Sequence, residues 1–203
     1  TNVESEAKRT ENYEIGTRFN GANWDGSLVA FLSESDNGTT FQPGTINILK
    51  QPERITGLEA TANFYVSNNV RIGGTYTMLD GEVDTDNDGN FDEDLPTTRI
   101  PPNKLTAYVD FQPRDWWAAR VQATYSATQN NNSTAFGGGT RIRDYLVVDA
   151  YSAFQVGPGT LSVGIENLFN EDYTPVINQA YNSSFAFARG PGRTISASYR
   201  VEF

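Results

Sequence analysis

The chain contains no cysteine and no histidine. The first absence removes a disulfide framework, a thiolate metal site and a cysteine nucleophile. The second removes the commonest general base and the commonest transition-metal ligand. Ser152, Ser162 and Ser198 have no imidazole to activate them, so a hydrolytic triad of the usual kind is excluded. Carboxylates are plentiful but fall mostly in polar segments, without an apolar pocket to raise a pKa. Positive charge is scarce: 15 Lys and Arg face 25 Asp and Glu, a net charge of -10 over 203 residues. A nucleic-acid partner is therefore not expected, because phosphate binding needs a basic face. Long apolar runs are missing too. None approaches the roughly 18 residues of a membrane helix, and the mean hydropathy is -0.51. A strand-built membrane protein stays open, because only alternate residues of its strands need be apolar. The opening Thr1-Asn2-Val3-Glu4 lacks the order of a signal peptide, so any export signal is expected upstream. Gly137-Gly138-Gly139 has no helix after it and is no phosphate cradle.

What the chain does have is a period of two. Ile195, Ala197, Tyr199, Val201 and Phe203 alternate with Thr194, Ser196, Ser198, Arg200 and Glu202. Leu161, Val163 and Ile165 alternate with polar or small neighbours, as do Trp117, Ala119, Val121, Ala123 and Tyr125. The same holds for Leu105 to Phe111, Val70 to Met78 and Leu58 to Val66, with less regular strands at 12–20, 24–35 and 143–155. The pattern predicts about nine strands and no helix. Short turns at 20–23, 67–69, 112–115 and 157–159 alternate with long polar segments near 36–46, 82–101, 129–141 and 170–192. An outer-membrane barrel has this arrangement, with short periplasmic turns and long extracellular loops. A soluble antiparallel sandwich also alternates. Two features disfavour it. The strands reach about ten residues, enough to cross a bilayer when tilted. Phe19, Trp24, Phe111, Trp116, Trp117, Phe154 and Phe203 also gather near the short turns, where an aromatic girdle would lie, and not at strand centres. Arg18, Glu59, Arg71, Lys104, Arg120, Glu166, Arg200 and Glu202 share the polar face and demand a wet or protein-filled lumen. An odd strand count leaves two raw edges, so the expected fold is all-β: an antiparallel transmembrane barrel, present here as part of a larger one.

Several stretches, in order, resemble the TonB-dependent outer-membrane receptors. Tyr13-Glu14-Ile15-Gly16 looks like the family's strand opening, and Arg54-Ile55-Thr56-Gly57-Leu58-Glu59 is similar to its Arg-x-x-Gly-x-Glu element. Tyr76-Thr77 follows at the family's distance, and Ile100-Pro101-Pro102 resembles the proline pair before the next strand. Asn167-Leu168-Phe169-Asn170-Glu171-Asp172-Tyr173 resembles the family's Asn-Leu-Phe hallmark, and Gly192-Arg193-Thr194 with Phe203 resembles its closing strand. The stretch from Gly159 to Thr174 is most similar to receptors for citrate-based hydroxamate siderophores of the aerobactin kind. The resemblance implies that residues 1–203 are about nine C-terminal strands of a barrel of about 22. The plug domain and TonB box would lie outside this chain, and Phe203 would be the native C-terminus. It further implies a ferric siderophore as cargo, TonB as energy source, no catalysis and a bacterial outer-membrane location. Outer-membrane lipid, lipopolysaccharide and the barrel-assembly machinery would be partners. The last would read a signal in Tyr199, Val201 and Phe203. Another cargo (cobalamin, a carbohydrate) remains an alternative, as does a smaller barrel enzyme or adhesin.

Two groups of residues are candidates for binding. Asp84, Asp86 and Asp88, followed by Gly89, set hard oxygen donors around a sharp turn as a calcium loop does, with Asp92 further along. Position twelve is Leu95 in place of the bidentate Glu, and a solvated acidic loop is the competing reading. No other cofactor is expected. In the outer loops, Tyr181, Phe185 and Phe187 offer aromatic surfaces, and Arg141, Arg143 and Arg189 offer partners for a siderophore carboxylate. Ordinary loop packing is the alternative for all six.

Overall fold

The computed structural model describes residues 8–41, 48–131, 141–181 and 188–201. The strands are β1 (Thr10–Asn20), β2 (Trp24–Phe41), β3 (Ile48–Ser67), β4 (Val70–Val83), β5 (Glu93–Asp94), β6 (Lys104–Arg114), β7 (Trp117–Ser126), β8 (Gln129–Asn130), β9 (Arg141–Ile142), β10 (Tyr145–Val156), β11 (Gly159–Glu166) and β12 (Thr194–Val201). One helix, α1 (Val176–Tyr181), lies before β12. The nine long strands form one antiparallel sheet in the order β1-β2-β3-β4-β6-β7-β10-β11-β12, with β5 added to β4 and a separate β8-β9 pair.

The register carries the two-residue alternation across the whole sheet. Tyr199 faces Leu161, Leu161 faces Phe154, and Phe154 faces Trp117. Val121 faces Val109, Val109 faces Ile72, and Ile72 faces Phe64. Every apolar row thus falls on one side of the sheet, because cross-strand partners share a face. Among the described residues nothing packs on that side: Ile15 is 78% exposed and Ile195 70%. In water such a face would be a large aggregation surface. Against lipid tails it is satisfied. Two packed sheets with Leu161, Val163 and Ile165 between them are ruled out, since all three are only half-buried.

The aromatics near the short turns form a band on that face. Trp117 stacks on Phe154 with ring centres 6.2 Å apart and meets Phe111 edge-on at 5.5 Å, and Phe19 lies 6.4 Å from Trp24. The Trp117 indole N–H donates to Ser152 Oγ at 2.9 Å, so this donor is satisfied on the apolar face.

Several elements depart from the expectation. β2 and β3 continue their ladder into residues read as a long loop, past an irregularity between Ser35 and Gly38. The sequence there does not alternate, so the backbone pairing continues without a period of two. Helix α1 occupies a segment where no helix was expected. Pro175 starts it, accepting backbone N–H bonds from Asn178 and Gln179 at 3.0 and 3.1 Å. The short β8-β9 ladder also lies inside an expected loop. Phe203 lies outside the described residues.

Candidate functional site

The rim above β3 and β4 is built by residues 84–103. Gly81 faces the lumen and has no side chain, so Ile100 lies where a Cβ would stand, at 2.6 Å. Val83, Leu95 and Ile100 are buried together, with Ile55 and Leu79 packed against them. Beside this small core, Arg99 NH2 contacts Glu53 Oε2 at 2.5 Å, and the Glu53 side chain is only 4% exposed. The ion pair was not legible in the sequence, since it joins a strand to a loop 46 residues away.

The acidic turn sits on this platform. Asp84 is buried and accepts backbone N–H bonds from Gly89 at 2.8 Å and Asp88 at 3.2 Å. Asn87 and Gly89 adopt left-handed backbone, φ 60° and 90°, which lets the chain curl around the carboxylates. Ligand oxygens of Asp84, Asp86 and Asp88 all lie within 4.8 Å of one another. Asp92 is exposed and not part of that group. Leu95 is buried in the hydrophobic platform and cannot serve as a ligand, so the turn closes unlike a complete twelve-residue calcium loop. Burial pushes the Asp84 carboxyl up, but backbone N–H groups of Gly89, Asn87 and Asp88 outweigh it and hold the group below its ordinary value. Burial and the Asp88 charge raise Asp86. The donor set is made of hard oxygens and suits calcium.

Across the mouth, β9 packs against α1. The Gln179 side-chain amide accepts from the Arg143 N–H at 2.8 Å and donates to the Arg143 carbonyl at 3.1 Å. Arg141 opens β9, Arg143 follows it and Tyr181 ends the helix packed against that strand, and all three are exposed. Arg189 is drawn elsewhere, into an ion pair with Asp172. Phe185 and Phe187 lie outside the described residues.

On the lumen face, toward the short turns, a third cluster spans five strands. Asp110 on β6 accepts from Arg71 Nε at 2.9 Å and NH2 at 2.5 Å, and from Arg120 Nε at 2.5 Å and NH2 at 2.9 Å. The Tyr108 ring lies 5.6 Å from the Arg71 guanidinium and 4.5 Å from that of Arg120. Tyr108 crosses over Gly73 to donate to Asn63 Oδ1 at 2.6 Å, and Asn63 Nδ2 donates to Asp25 at 2.9 Å. A Cβ at Gly73 would stand 2.5 Å from Asn63 Oδ1 and 2.6 Å from the Tyr108 hydroxyl, so only glycine allows the crossing. Arg71, Asp110 and Arg120 border a cleft of about 760 Å³. The sequence placed both arginines on this face but could not show that they share one carboxylate.

Comparison with known proteins agrees with the sheet. Residues 6–168 match the family model described as TonB dependent receptor-like, beta-barrel. The chain belongs to this family. It is 31% identical over 210 residues to the ferric aerobactin receptor of Escherichia coli, covering 98% of this chain and 27% of that receptor. It is 25% identical over 214 residues to the heme transporter BhuA of Brucella abortus (strain 2308), covering 96% of this chain and 30% of that protein. The solved copper transporter OprC superposes with a TM-score of 0.81 at 21% identity, over 97% of this chain and 31% of OprC. That likeness shows the fold. The chain thus spans less than a third of the curated relatives it matches. TonB-dependent receptors of this kind are outer-membrane barrels of Gram-negative bacteria, and the described strands are part of such a wall.

Within the receptor sheet, the Asn-Leu-Phe hallmark is a structural clamp. Asn167 is 3% exposed and adopts φ 52°. Its backbone N–H donates to Asp149 at 2.9 Å, and its amide nitrogen donates to the carbonyls of Glu171 at 2.9 Å and Pro191 at 3.0 Å. Its amide oxygen accepts from Glu171 N–H at 2.7 Å. Asn170, at φ 56°, accepts from Arg193 N–H at 2.9 Å. Together they pin the start of the last long loop to its end.

Proposed function

We propose that the receptor of which this chain is part takes up a ferric siderophore of the citrate–hydroxamate class, with energy supplied through TonB. The carrying observation is the 31% identity to a ferric aerobactin receptor across 98% of the chain. The geometry supports it: Arg141 and Arg143 are exposed where β9 packs on the helix that ends in the exposed Tyr181, a surface suited to an anionic, partly apolar chelate. No covalent chemistry is assigned, in keeping with a chain that has no histidine. The test expresses the full-length receptor in an outer-membrane host lacking its own siderophore receptors. Radiolabelled iron should enter as ferric aerobactin, and entry should stop when tonB is deleted. Entry of haemin with no entry of ferric aerobactin would replace this cargo with haem.

The acidic turn supports a second, separate reading. We infer that Asp84, Asp86 and Asp88 hold a calcium ion that fixes the rim. The grouping of their oxygens within 4.8 Å supports it. Calorimetry on the full-length receptor should show one calcium site that Asp86→Asn weakens by about tenfold or more. No heat of binding at millimolar calcium would leave the turn a solvated acidic loop.

A further inference from the structure

The ladder between β7 and β10 opens near the rim and closes again. Tyr145 pairs with Ser126, and farther out Ile142 pairs with Gln129. Arg143 and Asp144 fall between these two pairs, as do Ala127 and Thr128 on the other strand. The Ala127 N–H donates instead to the Asn103 carbonyl at 2.9 Å, and the Thr128 hydroxyl donates to Asp144 Oδ1 at 3.0 Å. Arg143 keeps a backbone donor and a backbone acceptor outside either ladder, and such groups need partners. Gln179 on α1 supplies both from one side chain. Its Oε1 accepts the Arg143 N–H at 2.8 Å, and its Nε2 donates to the Arg143 carbonyl at 3.1 Å. Nε2 also donates to the Thr174 carbonyl at 2.8 Å, so both amide protons are used and the group has one orientation.

This contact is the outermost of a series. Asn167, Tyr173 and Gln179 stand six residues apart, and they meet Asp149, Tyr145 and Arg143 in turn. The last long loop is thus registered against β10 and β9 by side chains, and Gln179 sets the register at the level of Arg143. An arginine fork makes a two-point contact with a carboxylate only in a narrow range of orientations. A loose backbone under it would add ordering entropy to the cost of binding. We propose that Gln179 is a positioning residue for Arg143: its amide fixes the backbone from which that guanidinium meets a carboxylate of the chelate. The inference rests on the cargo reading above.

The experiment is a double-mutant cycle on the purified full-length receptor, with ferric aerobactin binding read by quenching of intrinsic fluorescence. Gln179→Met keeps the length of the side chain and removes all three hydrogen bonds. It should weaken binding about tenfold in the otherwise native receptor, and about twofold or less in one that already carries Arg143→Gln. A loss of equal size in both backgrounds overturns the proposal, because Gln179 then supports the loop without acting through Arg143. No loss in either background overturns it too. A receptor that binds haemin and not ferric aerobactin rejects the cargo, and the cycle is then run with haemin, whose propionates are also carboxylates. Coupling there keeps the positioning role, and absence of coupling with both chelates overturns it. Should Gln179→Met fail to fold, Gln179→Glu takes its place in the cycle. It keeps the acceptor for the Arg143 N–H, loses both donors and should give the same coupling.

Discussion

Asn167 shows how much one residue can hold when its backbone and side chain are both used. Replacing it with Asp keeps the acceptor for Glu171 N–H and tolerates the left-handed backbone, but removes the donors to two carbonyls. Each carbonyl left without its donor costs about 1–3 kcal/mol. Hydrogen exchange on the full-length receptor should therefore speed up at residues 168–174 and 190–193 in Asn167→Asp, with the centres of β10 and β11 unchanged. Uniform loosening of those strands would contradict the clamp. Gly73 makes a complementary case. Gly73→Ala should destabilise by about 1–3 kcal/mol through overpacking, and Tyr108→Ala in the same protein should recover part of that loss in thermal melting. The acidic turn gives the pH prediction. Asp84, held low, stabilises the fold above the ordinary carboxylate value and loses that contribution as pH falls through its lowered value. Asp86, held high, does the reverse: its ionisation costs stability as pH rises through its raised value. A calcium ion bound by the turn would offset that cost. Stabilisation by calcium should be full at neutral pH and fade as Asp86 takes up its proton, and a calcium effect that grows on acidification would refute the site.

At the scale of elements, the nine long strands were legible because lipid enforces a strict alternation along each one. The information stopped where the lipid stops. Gly38 to Phe41 at the upper end of β2 do not alternate, so nothing in them marks a strand. Helix α1 is too short to show a period of its own. The clusters of Asp110 and of Glu53 were illegible for another reason: their partners come from separate strands and loops, and only the register brings them together. Of the residues expected to bind ligand, Arg141, Arg143 and Tyr181 are exposed, and Arg189 pairs with Asp172. β12 carries the prediction for assembly. Tyr199 lies on the lipid side, and its hydroxyl donates to the Val156 carbonyl at 2.7 Å, which ties the strand to the foot of β10. Burying Phe203 in lipid would contribute about 1.5–3 kcal/mol, a small part of a barrel's stability. Phe203→Ala should nevertheless strongly reduce the folded, heat-modifiable receptor recovered from outer membranes, and Tyr199→Ser should do so less strongly. Normal recovery with only a lower melting temperature would limit both residues to packing.

For the molecule as a whole, the central claim is directional: one face of the sheet meets lipid and the other meets the lumen. Everything proposed for the rim depends on it. Strand β7 offers a direct test, since its partners on β6 and β10 fix both faces. Single spin labels are placed in turn at Ala119, Arg120, Val121, Gln122, Ala123 and Thr124 of the full-length receptor, reconstituted in bilayers. Each is measured for collision with oxygen, which concentrates in lipid, and with a water-soluble nickel chelate. The account predicts that residues 119, 121 and 123 favour oxygen and that 120, 122 and 124 are less exposed to it, a strict alternation with a period of two. The opposite phase, or equal exposure at all six positions, would contradict it.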